Sequence, residues 1–312
     1  MSIGTLKGIT YKAFGLEVLS DIPLPELIKS SEGNKPADIN IKIDILTDIW
    51  SKLDRENGKF VVNDGMVMFL VPNMAIFCIK GGRDIIISPL EEADLDKIRL
   101  YILGTCMGVI LLQRKILPLH GSAVNINGIA YGFIGHSGVG KSTLASAFIS
   151  KGFQLLSDDV IAVDISKDNI PFVMPSYPQQ KLWQESLNEF GMETMSYRPL
   201  FDRETKYSIP VNSSFTSDPL PLGGVFELNK SDEDEIEIQT IKGLERFQTF
   251  FNQTFRKSLI NRMRLDEWHF LLSSKIINHI DIFQVKRPTS RFTAHDLVSN
   301  ILDHINMEGN IK

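Results

Sequence analysis

Gly135-His136-Ser137-Gly138-Val139-Gly140-Lys141-Ser142 is the stretch on which the reading of this chain turns. It meets the phosphate-binding pattern G-x-x-x-x-G-K-[ST] at every fixed position. An apolar run, Ile129 to Ile134, leads in and predicts a buried strand. Thr143 to Lys151 leads out with helical character, and Gly152 stands where that helix would end. Strand, glycine loop and helix is the setting the pattern needs. In such a loop the glycines let backbone N–H groups converge on phosphate oxygens, and the helix turns its positive end to the same place. Gly135, Ser137, Gly138, Val139, Gly140, Lys141, Ser142 and Thr143 are therefore the candidate nucleotide-binding residues. Lys141 would reach the β- and γ-phosphates and the Ser142 hydroxyl would hold Mg²⁺. The pattern fixes a nucleotide or pyrophosphate ligand and leaves the reaction open.

Working outward, Asn127-Gly128 separates the lead-in strand from a second apolar run, Pro118 to Ile126. Asn-Gly between two such runs predicts a two-residue type I′ hairpin, which fixes the register. Ile126 then opposes Ile129, and the same register carried outward puts His120 opposite Gly135. His120 is a packing or capping residue, or a group at the edge of the phosphate site; register alone leaves both open. On the other side, Phe153 to Leu156 predicts a strand ending in Ser157-Asp158-Asp159. Two carboxylates beside a phosphate loop suit metal binding and general-base work. Adjacent residues on a strand point opposite ways, so the two are expected to have different tasks.

Residues 1–92 predict an N-terminal β-rich domain, with strands at Ile9–Phe14, Ile39–Ile45, Lys59–Val62, Val67–Val71, Ala75–Ile79 and Asp84–Ile87. Asn63-Asp64-Gly65 and Pro72-Asn73 read as hairpin turns, and Ser30 to Pro36 as a loop. Residues 93–312 form the second expected domain, entered through a connecting helix over 93–114 that carries apolar side chains at helical spacing. Further on, Pro175 to Trp183 reads as a strand end, a turn and a helix start. Gly191 to Pro210, with Arg198, Arg203, Glu204 and Lys206, reads as a long lid or binding loop. Strands are expected at Leu222–Leu228 and Ile280–Val285, and helices at Leu244–Phe255, Leu265–Ile277 and Ala294–Ile305. The basic cluster Arg256, Lys257, Arg262 and Arg264 reads as a solvated helix face.

The 312 residues are 43% hydrophobic and 23% charged, an ordinary globular composition. A net charge of −5 provides no broad basic field, so nucleic acid is not an expected partner. Met1 to Lys7 lacks the apolar core of a signal peptide, and the longest apolar run, Tyr101 to Leu112, is too short to span a bilayer. A cytoplasmic protein without membrane partners is expected. Cys78 and Cys106 each lie in an apolar run and read as reduced core thiols.

Three functional classes fit the residues. A kinase needs phosphate positioning, Mg²⁺ and a base near the acceptor hydroxyl, and Lys141, Ser142 and the Asp158/Asp159 pair supply these types. A GTPase-like switch is suggested by Asn229-Lys230-Ser231-Asp232, which fits the guanine-reading N-K-x-D pattern, but no Asp-x-x-Gly follows the strand after the loop, and the match reads instead as a strand-ending turn. A non-catalytic nucleotide-sensing module is the third; the paired aspartates speak against it.

His120-Gly121, the loop ending Gly140-Lys141-Ser142, and Leu156-Ser157-Asp158-Asp159-Val160 come in the order and spacing that resemble the HPr kinase/phosphorylase family. Over the wider chain, Tyr11 to Leu16 with Ser20 to Leu27, the run Leu117 to Val124, and Tyr177-Pro178 with Lys181-Leu182-Trp183 look like the precursor-peptide serine kinases of lasso-peptide biosynthesis. The resemblance implies an α/β fold: a P-loop kinase core of the HPr kinase/phosphoenolpyruvate carboxykinase type with a mixed sheet, beside the N-terminal β-rich domain. It implies ATP and Mg²⁺ as cofactors and a serine hydroxyl on a peptide or small protein as acceptor, most closely a lasso-peptide precursor; HPr is the alternative acceptor. A homo-oligomer is compatible with it. It makes Asp158 the base, puts His120 near the reacting phosphate and Lys141 and Ser142 on the nucleotide and metal, and leaves Asp159 to support the metal or the loop. The Glu-Ile-Arg-Gly-Leu-Gly type stretch of the HPr enzymes has no counterpart here, so a second acidic Mg²⁺ ligand is unassigned, with Glu185 the candidate.

Overall fold

A computed structural model describes residues 8–30, 36–53, 59–200 and 203–309. Met1 to Lys7, most of the expected Ser30–Pro36 loop and residues 201–202 of the expected lid lie outside the described residues. The chain divides into two compact units, Met1–Pro118 with Phe255–Phe270, and Leu119–Thr254 with Leu271–Lys312.

The first unit is built on β1 (Ile9–Ala13), β2 (Leu16–Ser20), β3 (Ile28–Lys29), β4 (Ile39–Ile43), the short helix α1 (Thr47–Ser51), β5 (Val61–Asn63), β6 (Met66–Val71), β7 (Ala75–Lys80) and β8 (Asp84–Pro89). They form one eight-stranded sheet in the order β3-β1-β2-β4-β8-β7-β6-β5. The β2–β4 and β4–β8 pairs are parallel. Asp64 and Gly65 both take positive φ, as the β5–β6 turn requires. Strand β2 went unread because its turn uses Phe14 at φ 53°, and phenylalanine is no turn signal. The expected 93–114 helix is α2 (Leu95–Tyr101), a π-helical turn over Ile102–Cys106, and α3 (Met107–Gln113). Asp94 caps it, its carboxylate accepting from the Asp96 N–H at 2.8 Å. Cys78 and Cys106 are free and buried. Arg256 corrects the reading of a solvated basic face: it donates to Thr105 Oγ1 at 2.6 Å, while Lys257, Arg262 and Arg264 are exposed.

The next elements are β9 (Leu117–Ile126), β10 (Ile129–Ile134), α4 (Lys141–Ser150), β11 (Gln154–Ser157), β12 (Val160–Ile165), β13 (Pro171–Met174), β14 (Gln179–Trp183) and α5 (Gln184–Glu189). Then come β15 (Arg198–Leu200), β16 (Arg203–Pro210), β17 (Leu220–Ser231), β18 (Glu237–Thr240) and α6 (Glu245–Gln253). After α7 (Ser258–Arg262), the chain ends with α8 (Asp266–Ile277), β19 (Asp281–Pro288) and α9 (Ala294–Gly309). Among the described residues no helix is long and apolar enough to cross a membrane.

The main sheet of the second unit runs β10-β9-β12-β13-β17-β19-β18, with β11 on β9 and a further β10–β17 pairing. Asn127 and Gly128 have φ of 54° and 85°, the type I′ signature. The register follows from it: Ile126 pairs Ile129, and Gly121 pairs Ile134. β10, β17 and β19 are parallel neighbours, so their carboxyl ends share one edge. Helix α4 packs on α9, and Phe133, Phe148, Phe226, Phe283, Val298 and Ile301 belong to one core. Phe133 stacks on Phe148 at 5.2 Å and Phe226 on Phe283 at 4.8 Å.

Three readings are corrected here. Gln179–Trp183 is a strand where a helix start was expected, and the helix begins at Gln184. The expected lid loop carries β15 and β16, which join β14 in a three-stranded sheet. One face of that sheet buries Leu182 and Ile209 against Leu187 of α5. Asn229, Lys230 and Ser231 of the N-K-x-D match lie inside β17, paired with Lys286, Arg287 and Pro288, rather than in a turn.

A Cβ at Gly121 would stand 2.3 Å from the Phe133 carbonyl oxygen. Gly121→Ala is expected to lower the unfolding free energy by about 1–3 kcal/mol, the usual cost of overpacking, read from the urea midpoint. An unchanged midpoint would show that β9 can move away from β10 freely.

Candidate active site

Gly135 follows β10 at φ 137°, and a Cβ there would lie 2.6 Å from the Leu228 carbonyl oxygen, so β17 packs on bare backbone. Gly138 and Gly140 also take positive φ. His136, Ser137 and Gly138 form an exposed tip, and Val139 turns inward to the core. Gly140 is the N-cap of α4, so Lys141, Ser142 and Thr143 fill its first turn, where the helix has unpaired N–H groups and a positive end. That turn is tied to the elements behind it. Thr143 Oγ1 lies 2.8 Å from Ser186 Oγ, Ser146 Oγ donates to Gln180 Oε1 at 2.8 Å, and Gln180 Nε2 donates to the Ser142 carbonyl at 3.4 Å.

Lys141 is only 7% exposed. Its ammonium donates to the carbonyl oxygens of Gly135 at 2.8 Å and His136 at 3.0 Å. Burial pulls its pKa down to about 8 against the opposing pull of Asp158 and Asp159, and Lys206 adds to the lowering.

The two aspartates differ sharply. Asp158 is 3% exposed. One of its oxygens accepts from Ser122 Oγ at 2.6 Å and the other from the Lys181 backbone N–H at 2.8 Å. Asp159 sits at φ 73°, with its side chain 25% exposed and Oδ2 on Lys181 Nζ at 2.7 Å. Burial opposes its ionisation, but the Lys181 charge, the His120 ring and the Lys181 hydrogen bond outweigh that and hold the carboxyl well below the usual range. Lys181 mirrors it: burial works against its charge, and Asp159 and Tyr177 keep its proton on above the ordinary lysine value.

His120 directly precedes Gly121, whose partner Ile134 is the last strand residue before the loop. Nδ1 lies 3.0 Å from the Asp159 carbonyl oxygen and 3.6 Å from Asp159 Oδ1. A carbonyl only accepts, so Nδ1 carries the proton and the basic lone pair is on Nε2. Burial and the Lys141 charge push the imidazole below its ordinary pKa, more than Asp159 raises it. A neutral ring at pH 7 follows.

The structure thus gathers His120, Lys141, Asp158 and Asp159. It adds Ser122, Gln180 and Lys181, which sequence reasoning did not place in the site. No periodic signal marked the last two, since Gln180/Leu182 and Lys181/Trp183 each pair a polar with an apolar residue. Glu185 is exposed on α5.

Fold and site define a mixed α/β protein with a glycine loop and helix start beside two carboxylates. Residues 113–182 match the family model described as HPr Serine kinase C-terminal domain. The HPr kinase/phosphorylase of Burkholderia lata is 31% identical over 131 residues, 42% of this chain and 37% of that protein. The HPr kinase/phosphorylase of Ralstonia pickettii is 26% identical over 164 residues, 49% of this chain and 47% of that protein. The chain spans less than half the length of these curated relatives. A solved structure, the Hpr(Ser) kinase/phosphatase from Coxiella burnetii, is 14% identical with a TM-score of 0.35, covering 62% of this chain and 98% of that one. The family match begins in α3 and ends one residue past Lys181.

A lysine whose pKa falls from 10.5 to about 8 on folding is charged at a cost below pH 8, and that cost disappears between pH 8 and 10.5. An anion that pairs with Lys141 should therefore stabilise the protein most below pH 8. Thermal shifts with ATP are expected to shrink as pH rises from 8 to 10, and Lys141→Met should remove that dependence. A shift that stays flat across the window in the unaltered protein would take Lys141 out of anion binding.

Proposed function

We propose that this chain is an ATP- and Mg²⁺-dependent kinase that transfers the γ-phosphoryl group to a serine hydroxyl of a peptide or small protein, and that the acceptor is a lasso-peptide precursor. The observation that carries the reading is the gathering of the Lys141 ammonium, the His120 imidazole and the Lys181–Asp159 pair at the end of a glycine loop. The cradle fits a triphosphate: its backbone is bare at Gly135, Gly138 and Gly140, and its buried lysine has two of its three N–H donors on loop carbonyls, leaving the third for a phosphate oxygen. Among the described residues no cluster of three or more His, Cys, Asp or Glu could hold a metal. Mg²⁺ needs none, since it binds phosphates and water with one or two protein oxygens. The Ser142 hydroxyl would hold it, and when bound it neutralises charge on the phosphates. Lys181 on Asp159 Oδ2 disfavours that carboxylate as a metal ligand.

Burial and hydrogen bonding redistribute the two carboxylate roles. Both Asp158 oxygens are engaged inside the protein, so Asp158 anchors Ser122 and β14. Asp159, the more exposed, takes the serine proton as the serine oxygen bonds to the γ-phosphorus and ADP leaves. A carboxylate held ionised is a weak base, and phosphoryl transfer asks the base chiefly to orient the hydroxyl. Lys141 and the α4 N-terminus stabilise charge on the phosphoryl oxygens. HPr as the acceptor is the second reading, favoured by the names of the relatives matched over 113–182.

Single turnovers with labelled ATP, a precursor peptide and HPr test this. Lys141→Ala should abolish transfer. Asp159→Asn should slow it by about 10²–10⁴-fold, the usual worth of a general base, while nucleotide still binds. Asp158→Asn should instead cost about 1–3 kcal/mol of stability, because an amide cannot satisfy both donors as the carboxylate does. Near-normal turnover in Asp159→Asn would return the base role to Asp158. Transfer to HPr and not to the peptide would decide for the second reading, and transfer to neither would remove the kinase reading.

A further inference from the structure

Arg287 lies near the carboxyl end of β19, outside the residues of the family match. Its Nε donates to the Val139 carbonyl at 2.8 Å and its Nη1 to the Pro288 carbonyl at 3.2 Å. A Cβ at Gly140 would stand 3.6 Å from both Nε and Nη2, so the guanidinium lies against the loop one residue before Lys141. Nη2 has no hydrogen-bond partner among the described residues. Burial lowers the pKa of this guanidinium, and no carboxylate among the described residues acts against it. Arg99 shows the usual arrangement: its burial is answered by Glu26 at 2.8 Å and Asp96 at 2.7 Å. A half-buried cation without a counter-ion is costly unless a ligand brings the anion.

The place is also the right one. In sheets with parallel strands, ligands bind in the crevice beyond the carboxyl ends. β17 and β19 end together at Ser231 and Pro288, and β10 stops earlier, at Ile134 opposite Glu227, where the loop begins. We infer that Arg287 is a nucleotide-binding residue whose Nε holds the loop through the Val139 carbonyl and whose Nη2 donates to a phosphate oxygen of the bound triphosphate. The inference rests on the proposed function, since it takes a nucleoside triphosphate as the ligand.

Calorimetric titration of MgATP at low and high salt tests it, on the unaltered chain and on Arg287→Ala, Arg287→Lys and Lys141→Ala. Arg287→Ala is expected to weaken MgATP by about 10–100-fold, the worth of one charge-assisted hydrogen bond, and to flatten the salt dependence. Arg287→Lys should restore the salt dependence but only part of the affinity, because the fork is lost. A purely structural role would lower the melting temperature without ligand and leave the salt dependence as it was. That pattern, or unchanged affinity in Arg287→Ala while Lys141→Ala loses binding, would overturn the inference and leave the kinase reading standing. No MgATP binding by the unaltered chain would overturn both. If Arg287→Ala does not fold, Arg287→Gln, neutral but polar, is read by the same outcomes.

Discussion

One side chain and its own backbone hold both carboxylates. The Lys181 N–H fixes Asp158 at 2.8 Å and the Lys181 ammonium fixes Asp159 at 2.7 Å. That arrangement exists only because β14 is a strand. Its residues alternate: Gln180 turns to Ser146 and the first turn of α4, Leu182 turns to Ile209 and Leu187, and Lys181 turns the other way. A slip of one residue against β16 would send Lys181 into the apolar cluster and Leu182 onto the aspartates. The three-stranded sheet is therefore the frame that sets the electrostatics of the site. A buried ion pair is weak support for stability, since desolvation offsets most of its attraction. Its value here is in orienting two acids that would otherwise repel.

The charges around the loop do not balance. Lys141, Lys181 and Arg287 are all buried or half-buried near it, and Lys206 acts on both Lys141 and Asp159. Among the described residues Lys181 has a direct carboxylate contact, while Lys141 and Arg287 have none. Lys141 is held instead by carbonyl dipoles of its own loop. An excess of fixed positive charge, already oriented and partly dry, needs little reorganisation when a polyanion arrives. The low pKa of Lys141 comes chiefly from its burial, with Lys206 adding to it and the two aspartates opposing it.

How much of this could be read from the chain depends on how local the cause is. The β9–β10 register was legible because a two-residue Asn-Gly turn permits one pairing, and it carried His120 to the loop without any tertiary information. The helices over 245–253, 266–277 and 294–309 were legible from their apolar spacing. β14 and β16 were not, because Gln179 to Trp183 mixes polar and apolar residues on both faces, and β16 opens on the polar run Arg203 to Lys206 and ends in Pro210, so neither shows a period of two. Arg287 carried no local signal. Its meaning comes from β19 lying parallel to β17, which only the assembled sheet shows.

The two aspartates do point to different partners, but for a different reason than the one expected. Opposed directions were expected from the pleat of a strand. In the structure β11 ends at Ser157 and both aspartates follow it. What separates them is the left-handed backbone of Asp159, at φ 73°, a conformation that Asp and Asn adopt more readily than most residues. That conformation is held from the β9 side, because the Asp159 carbonyl accepts from the Gly121 N–H at 3.3 Å and meets His120 Nδ1 at 3.0 Å. Asp158 can then point inward to Ser122 while Asp159 points to Lys181. The different orientations of the two carboxylates are thus a property of one left-handed turn whose carbonyl is held by a histidine and a glycine.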